Sequence, residues 1–321
     1  MTRLARWLFT AGVLLFLGVL LSQGLPAVLG TLVAAGWGLV VVALFHLLPL
    51  ALDAGAIRVL YPGRLLHRAF GSALLARWAG ESANSLMPAG QLGGPVLMAR
   101  HLARRGLPLE TAAAAITVST TLQTFAQILF ALLGVLLLGA RASHASEGAL
   151  RTMVLVACGF LGLQIVGFYL LQRRGMFSRL LKLVGRFAGG RGAGLMDQAQ
   201  AIDRAIQEVY TQPARLAACF ALNLAGWLIG AGEVFLILWF LGHPVDWTSA
   251  LLLESLGQAV RGAAFAVPGA LGVQEGGYLL LAPLAGLPAD VALALSLAKR
   301  ARELLLGLPG LLYLHLAVKA W

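Results

Sequence analysis

Ionisable and polar side chains recur in this sequence at places where their surroundings are almost wholly apolar. Arg77 and Glu81, four residues apart and followed by Asn84, share one helical face. They can pair within their own helix or line a cavity, and their spacing serves both readings. Glu254, Gln258 and Arg261 form a second stripe, since steps of four and seven residues return to one face of a 3.6-residue helix. Gln274 and Glu275 follow. Lys299, Arg300, Arg302 and Glu303 then interrupt the last apolar run, within about a 160° arc of one helix. Charges at membrane depth are costly, which makes each a candidate for function. An arginine fork matches the geometry of phosphate, and broken helix ends beside it offer free N–H groups and a favourable dipole. Phosphate is therefore the ligand group these residues suit. Glu275 is a candidate to pair with one of the cations or to carry a proton. Salt bridges from the 299–302 cluster to Glu233, Glu254 or Glu275 are the purely structural reading of the same residues, and both readings can hold together.

Other chemistries lack their residues. Gly80-Glu-Ser-Ala-Asn84 has no glycine in the fifth place and is no serine-hydrolase elbow. The six histidines never pair at ligand spacing, and no phosphate-cradling G-x-x-x-x-G-K loop exists, so neither a metal nor a nucleotide cofactor is expected. Cys158 and Cys219 sit in apolar runs, which argues against a disulfide framework or a zinc cluster. No catalytic residue is assigned. His46 and His315, in or near the ends of apolar runs, read as hydrogen-bonded packing residues.

The elements that must position the charges are membrane helices. Of the 321 residues, 60% are hydrophobic and only 12% charged, with a mean hydropathy of +0.86, whereas soluble domains carry about 25% charged residues. The net charge of +11 would suggest nucleic acid in a soluble protein. Here cytoplasmic loops and anionic phospholipids at the cytoplasmic face explain it, and no nucleic-acid partner is expected. Apolar runs long enough to span fall near 4–23, 30–52, 108–140, 150–171, 215–241 and 289–318.

Two further stretches, 69–100 and 249–286, are apolar but broken at the centre. One break holds Pro88, Gly90, Gly93 and Gly94, and the other holds Pro268, Gly269 and Gly272. Backbone polar groups freed at membrane depth must be satisfied by protein or water, so such breaks line cavities. An offset of 180 superposes Pro88 on Pro268 and Gly106-Leu-Pro on Gly286-Leu-Pro; Ser72-Ala-Leu-Leu and Ser249-Ala-Leu-Leu precede the two breaks. The expected fold is an all-α polytopic membrane protein, with six full transmembrane helices and two oppositely oriented re-entrant hairpins in an inverted repeat; pairs of kinked full spans are the alternative reading of the two broken stretches. Repeat 1 covers about 30–140 and repeat 2 about 215–318. With both termini cytoplasmic, only Arg141 and Arg151 fall on outer segments, and Arg77, Arg261, Lys299, Arg300 and Arg302 lie at membrane depth. Hairpin 69–100 then enters from the cytoplasm and hairpin 249–286 from outside. In the cytoplasmic loop 172–214, residues 195–210 have helical apolar spacing and read as an amphipathic helix, either on the membrane surface or as a solvated connector.

Arg77-x3-Glu81-Ser82-x-Asn84-x3-Pro88-x-Gly90-x2-Gly93-Gly94, then Pro268-Gly-x2-Gly272-Val-Gln-Glu275-Gly-Gly277 and the Arg300-x-Arg302 helix, resemble the flippase-like membrane domain of lysylphosphatidylglycerol synthases. They are similar also to its stand-alone, hopanoid-associated relatives. The resemblance implies a domain of the bacterial inner membrane that moves or binds a lipid, with a site at Arg77, Glu81, Asn84, Arg261, Glu275, Arg300 and Arg302. It does not imply the synthase reaction of the two-domain members. The expectation is a non-enzymatic translocase for a polar- or phosphate-headed lipid. An integral-membrane lipid transferase, for which Asp53, Glu110, Asp197, Asp203 and Glu208 are the acids at the cytoplasmic face, and a transporter of a soluble solute are the alternatives.

Overall fold

The computed structural model describes residues 33, 36–63, 70–86, 93–141, 145–188, 193–264, 267 and 270–319. The expected span 4–23 lies outside the described residues, as do Pro88 and Gly90 of the first break and Pro268 and Gly269 of the second. Among the described residues the chain is helical and holds no strand.

Helices α1 (Gly38–Phe45) and α2 (Leu47–Val59) form one path with an irregular turn at His46. Pro49 is the cause: it has no N–H for the Phe45 carbonyl four residues back, and its ring crowds that carbonyl. Because α2 runs to Val59, beyond the expected limit of 52, Asp53 lies inside a helix. Helices α3 (Phe70–Leu86) and α4 (Gly93–Arg104) are the arms of the first hairpin. Then come α5 (Leu109–Arg141), α6 (Ala145–Arg173), α7 (Met176–Ala188), α8 (Ala193–Tyr210) and α9 (Pro213–Phe240). The second hairpin is α10 (Trp247–Ala263) and α11 (Val273–Leu281), continued by a 3-10 turn (Ala282–Ala285), and α12 (Ala289–Lys319) closes the fold.

Among the described residues three stretches, Gly38–Val59, Leu109–Gly139 and Pro213–Phe240, are long and apolar enough to cross a membrane. Helix α12 has the length, at 31 residues, but carries six charged residues, four of them between Lys299 and Glu303. The hairpin arms of 17, 12, 17 and 9 residues reach only about 26, 18, 26 and 14 Å, against roughly 30 Å of hydrocarbon core.

The core is divided into two apolar clusters at opposite ends of the bundle. One gathers Val42, Leu138, Leu241, Leu252, Leu287 and Val291, beside the packing of Gly38 on Phe240. The other gathers Ile57, Leu60, Leu102, Ala112, Ile206 and Cys219. At that second end the Arg215 guanidinium donates to the Tyr61 carbonyl (2.7 Å), and Arg105 donates to the Tyr313 hydroxyl (3.1 Å). The α3–α4 hairpin is rooted at the second end, and α10–α11 at the first.

The two hairpins pack alike, residue for residue. Adding 177 carries Gly80 to Gly257 and Asn84 to Arg261; adding 180 carries Gly94 to Gln274 and Met98 to Tyr278. A Cβ on Gly80 would run into Met98, and one on Gly257 would lie 3.1 Å from the Tyr278 hydroxyl. Gly94 N–H donates to Asn84 Oδ1 (2.9 Å), and Arg261 Nη1 donates to Gln274 Oε1 (3.0 Å). The long helix after each hairpin packs on the first arm of the other. Thus α5 meets α10 where Gly134 faces Ser255, and α12 meets α3 where Gly310 faces Ser82.

Helix α8 forms as the periodicity of 195–210 predicts, but its apolar face is covered by protein. Ala199, Ile206 and Val209 are buried, the last two in the second cluster, and α8 packs on α5. This corrects the expected membrane-surface placement. Asp203 instead caps α7, accepting from the N–H groups of Phe177 (3.0 Å) and Ser178 (2.9 Å) and from the Ser178 hydroxyl (2.6 Å). It is α7 that leaves Leu180 and Leu183 exposed beside Arg179 and Lys182.

Candidate functional site

Between the apolar ends lies a layer of buried charge. Lys299, 1% exposed on α12, donates to Glu254 Oε2 on α10 at 2.6 Å. Glu254 also accepts from Gln258 Nε2 (2.8 Å) and the Tyr278 hydroxyl (3.3 Å). Arg300 Nε donates to Glu275 Oε1 (3.1 Å), and Arg302 Nε lies 2.7 Å from Glu233 Oε1, an ion pair whose N–H is not aligned as a hydrogen bond. All three carboxylates that the structural reading offered to the α12 cations are therefore their partners. Glu303 joins Arg261 Nη1 (2.6 Å) to Arg300 Nη1 (3.1 Å).

The first hairpin enters the same layer. Arg77 Nη2 donates to Asp53 Oδ2 on α2 at 2.7 Å, while its own-helix neighbour Glu81 is at 3.7 Å. Asp53 thus holds the stronger pairing and belongs to the layer rather than to a cytoplasmic face; Gln123 Nε2 donates to the same oxygen (2.9 Å). Glu81 turns instead to His46 Nε2 (2.8 Å), whose Nδ1 lies 3.0 Å from Glu233 Oε2. Arg302 Nη1 approaches His46 Nε2 (3.1 Å) and Glu81 Oε1 (3.6 Å). His46 is therefore a junction of four helices, not a packing residue.

Four further expected ligand groups have structural partners. Asn84 accepts from Gly94 and stitches α3 to α4 outside the charged layer. Arg261 donates from Nη1 to Glu303 and Gln274. Glu275 has both oxygens occupied: Gly272 N–H donates to Oε2 (2.7 Å), and the Ser296 hydroxyl (3.2 Å) and Arg300 donate to Oε1. Gln274 donates to Ser296 (3.0 Å). Gly272, at φ 75°, caps α11 with a backbone that other residues rarely adopt. Arg300 Nη2 and Arg77 Nε are buried without hydrogen-bond partners.

A small recess opens onto this layer between α3 and α12, lined by His46, Trp78, Glu81, Ser82, Ser85 and Arg302 among others. A second touches Asp53, Arg77, Gln123 and Asn223. Neither has room for a lipid headgroup, so the charged layer is in a closed arrangement. Among the described residues no group of three or more His, Cys, Asp or Glu side chains is placed to hold a metal.

Reading charge along the sequence found the α12 cluster, the α10 stripe and the Arg77–Glu81 pair. It missed His46, an ionisable residue within the expected span 30–52 and so one that meets the criterion that found the others, and it missed Asp53, which lies one residue beyond that limit and inside α2. Compared with known protein families, residues 4–310 match the one described as the lysylphosphatidylglycerol synthase TM region. No curated protein and no solved structure matches the chain.

Proposed function

The chain belongs to the lysylphosphatidylglycerol synthase membrane-region family, a membership that gives it a membrane location and a lipid-related role, and from that premise we propose that it is a lipid translocase. In this reading it moves a polar- or phosphate-headed lipid across the bacterial inner membrane, without chemical change to the lipid. The observation that carries the reading is the closed layer of ion pairs held between hairpins rooted at opposite ends of the bundle. The matched packing of Gly80 on Met98 and Gly257 on Tyr278 supports an inverted repeat, the arrangement that lets one site open alternately to each side. The short arms support re-entrant hairpins beside six full spans.

A lipid phosphate would work by exchange. Breaking a buried ion pair by removing one partner costs about 3–5 kcal/mol, which keeps the layer shut when no headgroup is present. A phosphate arriving beside Arg302, Arg300 or Arg77 takes over the role of the displaced carboxylate, and the donors of Arg300 Nη2 and Arg77 Nε, unpartnered in the closed layer, give it further hydrogen bonds. The acyl chains stay in the bilayer along the apolar flank of α12, where Leu304, Leu305, Leu308 and Leu312 are exposed. The basic end, with α7 and its Arg179 and Lys182, sits on the cytoplasmic leaflet against anionic phospholipid, and both termini are cytoplasmic.

Reconstitution tests this. Vesicles containing the purified protein should move a fluorescent phospholipid between leaflets faster than empty vesicles. An Arg302→Ala/Arg300→Ala variant that inserts normally should lose most of the excess rate. Equal rates for protein-containing and empty vesicles across zwitterionic, anionic and aminoacylated lipids would overturn the proposal.

A further inference from the structure

Charge does not balance in the layer until His46 is counted. Among the described residues it holds six carboxylates, from Asp53, Glu81, Glu233, Glu254, Glu275 and Glu303, against five permanent cations, from Arg77, Arg261, Lys299, Arg300 and Arg302. An odd charge buried at membrane depth is unfavourable, and a proton on His46 removes it.

The geometry places that proton at one atom. His46 Nδ1 is held by Glu233 Oε2 at 3.0 Å. Nε2 has two neighbours with opposite demands, Glu81 Oε1 at 2.8 Å and Arg302 Nη1 at 3.1 Å. Glu81 can only accept from Nε2, which requires a proton there. Arg302 can only donate to Nε2, which requires that the proton be gone. Every packed element contributes a charge to this choice: Arg77 and Glu81 from α3, Glu233 from α9, Lys299, Arg302 and Glu303 from α12, and Asp53 along α2. The ring also stands on the Pro49 irregularity of α1–α2 and borders the recess between α3 and α12.

We propose that His46 is a proton-binding site of the charged layer, and that its Nε2 proton decides whether the layer is closed. Doubly protonated, the imidazole bridges Glu81 on α3 to Glu233 on α9 and ties the first hairpin to the bundle. When the proton leaves, Nε2 accepts from Arg302 and Glu81 loses its hydrogen-bond donor, so one tie of the first hairpin is released, leaving Arg77 on Asp53 (2.7 Å) and the Trp78 indole N–H on the Leu306 carbonyl (2.9 Å) to be broken when α3 parts from α12. Lipid movement is thereby linked to proton movement. The linkage rests on the translocase reading; the proton site itself does not.

Two measurements separate these claims. First, protein labelled with 15N-histidine in nanodiscs is titrated by NMR from about pH 5 to 10, a window wide enough for a buried imidazole. The His46 signal is assigned by its absence in His46→Gln or, should that variant fold poorly, by the shift that Trp78→Phe, in the same recess, imposes on it. The expected result is an imidazole protonated on both nitrogens at the acid end and on one at the alkaline end. A ring that keeps one neutral tautomer throughout would overturn the proposal. Second, the pH dependence of lipid movement is compared in wild-type and His46→Gln vesicles. Wild type should vary by up to about tenfold for each pH unit across the titration, the limiting steepness of a single proton, and His46→Gln should be flat. Identical pH profiles would overturn the linkage. Absence of lipid movement at every pH would remove the translocase reading alone, because the titration decides the proton site without it.

Discussion

Lys299 is the cation with the least recourse. Its ammonium is buried, and Glu254 is its close partner at 2.6 Å. Lys299→Met therefore leaves a carboxylate in the interior with only Gln258 and the Tyr278 hydroxyl to solvate it. The expected loss is about 3–5 kcal/mol, read as a clear fall in thermal midpoint in nanodiscs. Adding Glu254→Gln removes the stranded charge while keeping an acceptor for Tyr278, and should return most of that loss. A single variant as stable as wild type would mean that the pair does not hold the layer together. Residues of this kind were legible in the sequence because a charge in an apolar run announces itself without its partner. The pairings were legible only in part. Arg77 had a plausible neighbour at Glu81, four residues on, yet its tighter partner is Asp53, which is brought within reach only by the continuation of α2 past residue 52. His46 escaped for a related reason: its meaning comes from Glu81, Glu233 and Arg302, which are 35, 187 and 256 residues away.

At the scale of elements, the breaks were readable because proline and glycine act locally, through a missing N–H and a missing Cβ. What covers a helical face is not local. The apolar positions of α8 mark a buried face equally well whether lipid or α5 buries it, and only the fold chose α5. The hairpins give a sharper case, since the glycines that look alike in sequence do different things. A Cβ on Gly94 would lie 2.6 Å from the Gly80 carbonyl oxygen, a backbone atom that cannot swing aside, whereas one on Gly276 meets nothing within 4 Å. Gly94→Ala should accordingly cost about 1–3 kcal/mol by forcing α3 and α4 apart. Gly276→Ala, in the body of α11, should be neutral or stabilise by about 0.5–1 kcal/mol through helix propensity. Thermal unfolding of the two variants side by side checks both. A Gly94→Ala protein as stable as Gly276→Ala would show that the hairpin arms do not cross as closely as Asn84 and Gly94 indicate.

Over the whole molecule, the two ends differ in the way membrane faces differ. Trp37, Trp239 and Trp247 are exposed at the end where α10–α11 is rooted, as in an interfacial aromatic belt. Arg104, Arg105, Arg174, Arg179 and Lys182 are exposed at the end where α3–α4 is rooted, the composition of a cytoplasmic face. The loop between α9 and α10, with His243 exposed, belongs to the aromatic end, and Thr211, exposed between α8 and α9, belongs to the basic end. If the hairpins enter the bilayer from opposite faces, these two positions must lie on opposite sides of it. In intact cells a membrane-impermeant maleimide should label His243→Cys at once and Thr211→Cys only after permeabilisation, with the wild-type protein giving the background from Cys158 and Cys219. Labelling of both from one side would place both hairpin roots on one face. The charged layer would then close a one-sided pocket, and alternating access could not be the use to which its ion pairs are put.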